Sequence, residues 1–231
     1  MLELNKIYNM DCLEGMKKLP DNSVDLIITS PPYNLGRTHH TGKNRFKSYT
    51  EYDDNMLEDL YQQWQVEILN ECYRILKPNG SMWYNHKNRI VKGKQITPYE
   101  WLLKSEFVIK QEIVWFNRSQ NFDKIRFYPM TERLYWLTKS AETKMFNAIN
   151  HHDVFDTKDW KPEGTKGEFK RAFPVKMVDD IISCFEGAEV VFDPFMGSGT
   201  VALGAINKGK KYIGFELSKD AHALAEKRIS G

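Results

Sequence analysis

The chain has 231 residues, 41% of them hydrophobic and 13% aromatic, which is enough to bury a full α/β core in one domain spanning residues 1–231. Its formal net charge of +2 is too small to demand a polyanionic partner through bulk electrostatics. The cysteines Cys12, Cys72 and Cys184 stand far apart, which argues against a disulfide framework or a zinc site, and no apolar run approaches the ~18 residues of a membrane span.

The first element is a buried strand over residues 24–28, broken by Pro31-Pro32. A run without acids over 36–50 follows, holding Arg37, Lys43, Arg45 and Lys47, within an expected mobile loop over 36–56. From 56 to 76, Leu57, Leu60, Tyr61, Trp64, Ile68, Cys72 and Ile75 recur at helical spacing, and Pro78-Asn79-Gly80 marks the stop. A strand is predicted at 81–84, then a second basic cluster that includes Lys87 and Arg89. A short helix at 98–105 and strands at 107–116 and 132–138 come next. Residues 139–171 are polar and weakly periodic, and read as an insertion. Helical periodicity resumes at 174–185, followed by a strand at 190–192, a helix at 200–207, a strand at 212–215 and a helix at 219–229. This alternation predicts a mostly parallel sheet with helices on both faces.

Two motifs carry chemistry. Val190 to Thr200 (VVFDPFMGSGT) places a strand, a glycine turn and a helix start in succession. Gly197 and Gly199 admit backbone angles closed to other residues and let a ligand approach the main chain, while Ser198 or Thr200 is positioned to cap the following helix. The spacing matches neither a phosphate-cradling P-loop nor GxGxxG. Glu216 closes the next strand, where a carboxylate can accept from both hydroxyls of a ribose. The alternative for each is a purely structural turn or an exposed strand-end acid.

The second motif is Ser30-Pro31-Pro32-Tyr33, also after a buried strand. The prolines stiffen the backbone and remove two donors. The serine oxygen and the Pro31 carbonyl offer two acceptors to one NH2 group, and Tyr33 offers a flat face for a base. A ring amine is a poor nucleophile because its lone pair is delocalised. Paired acceptors can draw it toward tetrahedral geometry as charge grows on it. A rigid turn of no chemical consequence is the competing reading.

The pair S-P-P-Y and D-P-F-x-G-S-G-T resembles the amino-methyltransferases of DNA, in their β-class, where the catalytic motif precedes the cofactor motif. Asn9 to Glu14, Arg74 to Gly80 and Ala172 to Lys176 are similar to further segments of that family, so the resemblance runs over nearly the whole chain. It implies a circularly permuted, Rossmann-like class I fold with a seven-stranded sheet, and S-adenosyl-L-methionine as cofactor. By this resemblance Asp193, Phe195, Gly197, Ser198, Gly199 and Thr200 hold the methionine end, Glu216 the ribose, and Asp11 and Cys12 border the adenine, with Phe173 nearby. Ser30, Pro31, Pro32 and Tyr33 hold the target base, cytosine in preference to adenine because serine leads the tetrad. The base must be flipped out of double-stranded DNA. Arg37, Lys43, Arg45, Lys47, Lys87 and Arg89 become candidate DNA contacts, and 139–171 a target-recognition insertion. No metal is expected. A cognate restriction endonuclease, a homodimer and a cytoplasmic location are further expectations. Methylation of RNA or of a glutamine amide places the glycine loop first, so motif order counts against it, and an inactive nucleic-acid-binding module fits the intact motifs poorly.

Overall fold

A computed structural model of the chain describes residues 2–35, 54–118, 124–147, 152–159 and 172–230. In chain order its elements are β1 (Lys6–Tyr8), α1 (Cys12–Met16), β2 (Val24–Thr29), α2 (Glu58–Ile75), β3 (Leu76–His86), β4 (Arg89–Val91), β5 (Lys94–Ile96), α3 (Tyr99–Leu102), β6 (Val108–Phe116), β7 (Thr131–Thr138), β8 (Val154–Asp156), α4 (Val175–Ser183), β9 (Val190–Asp193), α5 (Thr200–Asn207), β10 (Lys211–Phe215) and α6 (Lys219–Ile229).

An eight-stranded sheet runs in the order β1-β10-β9-β2-β3-β7-β6-β8. Only β7 is antiparallel to its neighbours; every other pairing in this sheet is parallel. β2 and β9 are buried on almost every residue, as central parallel strands covered on both faces must be. The two-residue period of a strand divides the core into two layers. Ile28, Trp83 and Val191 pack with Val178 and Ile181 of α4 and Val201 of α5. Their chain neighbours Ile27, Met82 and Phe192 pack on the other face with Ile68 and Cys72 of α2. α1 lies so close to the sheet that a Cβ on Gly15 would sit 2.5 Å from the Phe215 ring.

The expected seven strands are joined by an eighth. β8 falls inside the expected insertion and extends the sheet beside β6, pinned by the Arg118–Asp156 ion pair at 2.8 Å. Like β1, it has three residues and one buried apolar side chain, too little to leave a periodic trace. The Pro78-Asn79-Gly80 stop is also different in form. α2 passes directly into β3, and these residues occupy a register shift between the Val24–Leu76 and Leu26–Ser81 pairings. β4 and β5 form a hairpin that the basic composition of 87–94 concealed, its turn made by Lys92 and Gly93 at φ 48° and 81°.

Candidate active site

The order of strands reverses between β9 and β2, the place where open α/β sheets bind ligands at the carboxyl ends of their strands. The two sequence motifs occupy this switch point. Ser30 follows β2 and the glycine turn follows β9. The buried Thr29 hydroxyl donates to Asp193 Oδ1 at 2.7 Å and ties the motifs together at their roots.

On the β9 side, Gly197 and Gly199 have φ of 55° and 80°, in the left-handed region that favours glycine. Nothing lies within 3.8 Å of a Cβ built on Gly197, so the turn opens onto free space. Asp193 Oδ1 also accepts from the Phe195 amide at 2.9 Å. Burial pushes this carboxyl up to about 7, with the charge of Glu216 adding to the effect against its two hydrogen bonds. Glu216 stands at the end of β10, 8% exposed. Its carboxylate accepts from the Gly197 and Ser218 amides, both at 2.8 Å. Asn9 donates to the Glu216 and Leu217 carbonyls at 2.8 and 2.9 Å, which brings the Asp11–Cys12 turn beside the same carboxylate. Asp11 caps α1 by accepting from Leu13 and Glu14, and burial with the adjacent Asp11 charge pushes the buried Cys12 thiol far up.

One expectation for this half changes. Neither Ser198 nor Thr200 caps α5; Gly199 is the cap residue, without a side-chain bond. Arg228 of α6 takes their oxygens instead, donating to the Ser198 carbonyl and hydroxyl at 2.6 and 2.7 Å and to the Thr200 hydroxyl at 3.3 Å. The Phe195 ring packs edge-on against Trp64 of α2 at 5.7 Å, and Phe173 lies against Trp115 at 6.0 Å. The open glycine turn, the strand-end carboxylate and the neighbouring Asn9–Cys12 turn fit a ligand with a ribose and an amino-acid end.

On the β2 side, four oxygens from three strands meet. Ser30 Oγ lies 2.8 Å from the Tyr33 hydroxyl and 3.1 Å from Asn85 Oδ1. The Tyr33 hydroxyl lies 2.5 Å from Asn85 Oδ1 and 2.9 Å from Glu132 Oε2. The amide orientation of Asn85 is fixed because its Nδ2 donates to the Arg133 carbonyl at 3.0 Å. Glu132 Oε1 accepts from Asn117 Nδ2 at 3.0 Å. Burial, and then the Glu132 charge, hold the Tyr33 phenol well above its ordinary range. Among the described residues, two hydroxyl hydrogens serve these four contacts, so the cluster is rich in acceptors and short of donors.

The tetrad is held from behind by α2. Tyr61 donates to the Pro32 carbonyl at 2.7 Å and lies 2.7 Å from His86 Nε2, both side chains fully buried. His86 Nδ1 lies 2.9 Å from the Lys87 amide and 2.8 Å from the Lys87 carbonyl, so both ring nitrogens are held by hydrogen bonds. Burial lowers His86 to about 3, so it stays neutral. Its ring packs 4.5 Å from that of Tyr33.

Of the expected DNA contacts, Arg37, Lys43, Arg45 and Lys47 lie outside the described residues. The ends of that segment meet beside the tetrad, where Asn34 both donates to and accepts from the Met56 backbone at 2.9 and 2.7 Å. Lys87 is half-buried with its Nζ 5.6 Å from the centre of the Tyr33 ring. Arg89 does not serve as expected. It is 4% exposed, forms two hydrogen bonds with Glu58 at 2.7 and 2.8 Å, and lies 4.6 Å over the Tyr61 ring. An irregular, acid-free stretch at the same sheet edge, Lys124-Ile125-Arg126-Phe127-Tyr128, leads into Glu132 and leaves Phe127 fully exposed.

Asn85, Glu132, Tyr61, His86 and Arg228 were absent from the sequence-based site. Asn85 and His86 left a trace, two polar residues ending an apolar strand. Tyr61 reads as one more core residue of α2, and nothing in sequence marks Glu132 or Arg228.

Comparison with known proteins agrees with this geometry. Residues 24–227 match the N6/N4 family model described as DNA methylase. The Type II methyltransferase M.BglII of Bacillus subtilis is 29% identical over 99% of this chain and 69% of its own length. The DNA adenine methyltransferase YhdJ of Escherichia coli (strain K12) is 27% identical over 98% of this chain and 83% of its own length. Among solved structures, the PvuII DNA methyltransferase (cytosine-N4-specific) superposes with a TM-score of 0.76 at 21% identity, covering 97% of this chain and 86% of that one. The M1.HpyAVI–SAM complex superposes at 0.65 with 22% identity, covering 98% and 99%. The chain belongs to the N6/N4 DNA methylase family and is an S-adenosylmethionine-dependent DNA amino-methyltransferase.

Proposed function

We propose that the chain methylates cytosine N4 at a short site in double-stranded DNA. The observation that carries the amine reading is the donor-poor cluster of Ser30, Tyr33, Asn85 and Glu132, and the choice of cytosine rests on serine at the head of the tetrad. An NH2 group supplies the hydrogens that such a cluster lacks. Partial withdrawal of those hydrogens returns lone-pair density to the nitrogen and favours its attack. When bound, S-adenosylmethionine supplies an electrophilic methyl group.

The chain's own residues contribute position. Glu216 takes the ribose hydroxyls, and the Gly197–Gly199 turn lets the amino-acid end come up against its main chain. Thr29–Asp193 fixes the distance between the two half-sites. The Tyr33 face stacks on the flipped base, backed by His86. Lys124, Arg126 and Phe127 join the basic 36–53 segment as DNA contacts, in place of Arg89. A homodimer and a partner endonuclease accompany this reading.

Serine at the head of the tetrad favours cytosine. Adenine N6 is the second reading, favoured by the relative named as a DNA adenine methyltransferase. Expression in a host free of DNA methylation, followed by single-molecule sequencing of its DNA, decides between them. N4-methylcytosine at one short motif is expected, and N6-methyladenine there would transfer the assignment to the second reading.

A further inference from the structure

The amine must lose a proton when it gains a methyl group, and the tetrad itself carries no carboxylate. Four contacts in the pocket share two hydroxyl hydrogens. The Tyr33 hydrogen has two acceptors within reach, Asn85 Oδ1 at 2.5 Å and Glu132 Oε2 at 2.9 Å. When an incoming amine donates to Asn85 Oδ1, Tyr33 is free to donate to Glu132 and Ser30 to Tyr33 at 2.8 Å, and the hydrogens form a directed chain. Asn85 Oδ1 and a lone pair on Ser30 Oγ are then left facing a donor, as an incoming amine requires. Asn117 holds the other Glu132 oxygen at 3.0 Å and keeps Oε2 on Tyr33.

We propose that Glu132 is the terminal acceptor of the proton released by the target amine, reached through Ser30 and Tyr33. This rests on the amino-methyltransferase activity and holds for cytosine or adenine alike. The amine lone pair forms the new C–N bond as the methyl group leaves the sulfonium, which becomes a neutral thioether. One N–H bond then breaks, its electron pair staying on nitrogen and its proton going to Ser30 Oγ. The Ser30 hydrogen passes to the Tyr33 oxygen and the Tyr33 hydrogen to Glu132 Oε2. Serine and tyrosine end unchanged, and Glu132 ends as a neutral acid that returns its proton to solvent.

The test compares wild type, Glu132→Gln and Glu132→Ala under single-turnover conditions with labelled S-adenosylmethionine and a duplex carrying the mapped site, from pH 5 to 9. Cofactor affinity is followed by calorimetry, duplex affinity by fluorescence anisotropy and folding by thermal melting. Gln keeps the size of the side chain and, with its carbonyl oxygen on Asn117, the bond there; its NH2 then donates to the Tyr33 oxygen, which removes the base and reverses that bond. The relay predicts that Gln is as slow as Ala, about 100-fold below wild type, with both affinities within about threefold. It also predicts that the acid limb of the wild-type rate profile is missing in Gln. A Gln variant within about twofold of wild type would overturn the relay, since position alone would then suffice. A slow Gln variant that binds duplex or cofactor more than tenfold worse, or melts well below wild type, would overturn it as well and make Glu132 a structural residue. Inactivity of the wild type toward all DNA would instead remove the underlying activity.

Discussion

The Tyr33 hydroxyl meets the Glu132 carboxylate at 2.9 Å across 99 residues of sequence, joining the loop after β2 to the start of β7. β7 is the one antiparallel strand of the main sheet, so its first residues reach the edge where its parallel neighbours end. Its reversed direction is what brings a carboxylate to the amine pocket. A slip of one residue in β7 would turn Glu132 to the opposite face.

Tyr33→Ala is expected to abolish methyl transfer while leaving S-adenosylmethionine affinity within about threefold, because the glycine turn and Glu216 are reached from β9 and β10. Calorimetry together with label transfer to DNA separates the two effects. Simultaneous loss of both would show that the tetrad supports the fold of the cofactor half.

Arg89→Met is predicted to destabilise the chain by about 1.5–3 kcal/mol, since it removes the two charged hydrogen bonds to Glu58, the first residue of α2, which keeps its bond from Gln62. The salt dependence of DNA binding should stay the same. Denaturant melts and anisotropy at several salt concentrations test this. A slope reduced by about 0.9 with normal stability would mean that Arg89 touches a phosphate.

Arg228→Met frees the Ser198 carbonyl and the Ser198 and Thr200 hydroxyls from their shared donor. Bonds to charged groups contribute about 1.5–3 kcal/mol, so cofactor affinity should fall on the order of tenfold or more as the glycine turn loosens. An unchanged dissociation constant in calorimetry would contradict a role for α6 in the cofactor site.

The Asp193 carboxyl, ordinarily at 3.8, is pushed up to about 7 by burial. Between these values the folded state binds a proton that the unfolded state has released, so stability falls as pH rises from about 4 to about 7. Asp193→Asn removes that dependence. Denaturant midpoints of the cofactor-free proteins at pH 5 and 7.5 should diverge, with wild type losing more over the interval. Parallel behaviour would place the titration elsewhere.

Much of the architecture was readable because its central strands and helices are long and periodic. α5 and α6 have the bounds that their apolar spacing predicts, and both motifs lie at strand ends as their flanking runs required. Three-residue strands such as β1 and β8 were invisible because a single buried side chain carries no period. The cofactor half was legible as a local turn, but not its anchor, since Arg228 lies 30 residues from Ser198 and looks like any basic residue near a helix end. Arg89 was misplaced for a related reason. Charge in sequence does not reveal whether a side chain points outward, and the hairpin turns this one inward onto Glu58.

The Ser30–Tyr33–Asn85–Glu132 pocket is proposed to direct a methyl group onto a base amine. Transfer of labelled methyl from S-adenosylmethionine to duplex DNA, followed by digestion to nucleosides, tests it most directly. The label is expected on an exocyclic amine, as N4-methylcytosine, and label on the C5 carbon of cytosine would contradict the account.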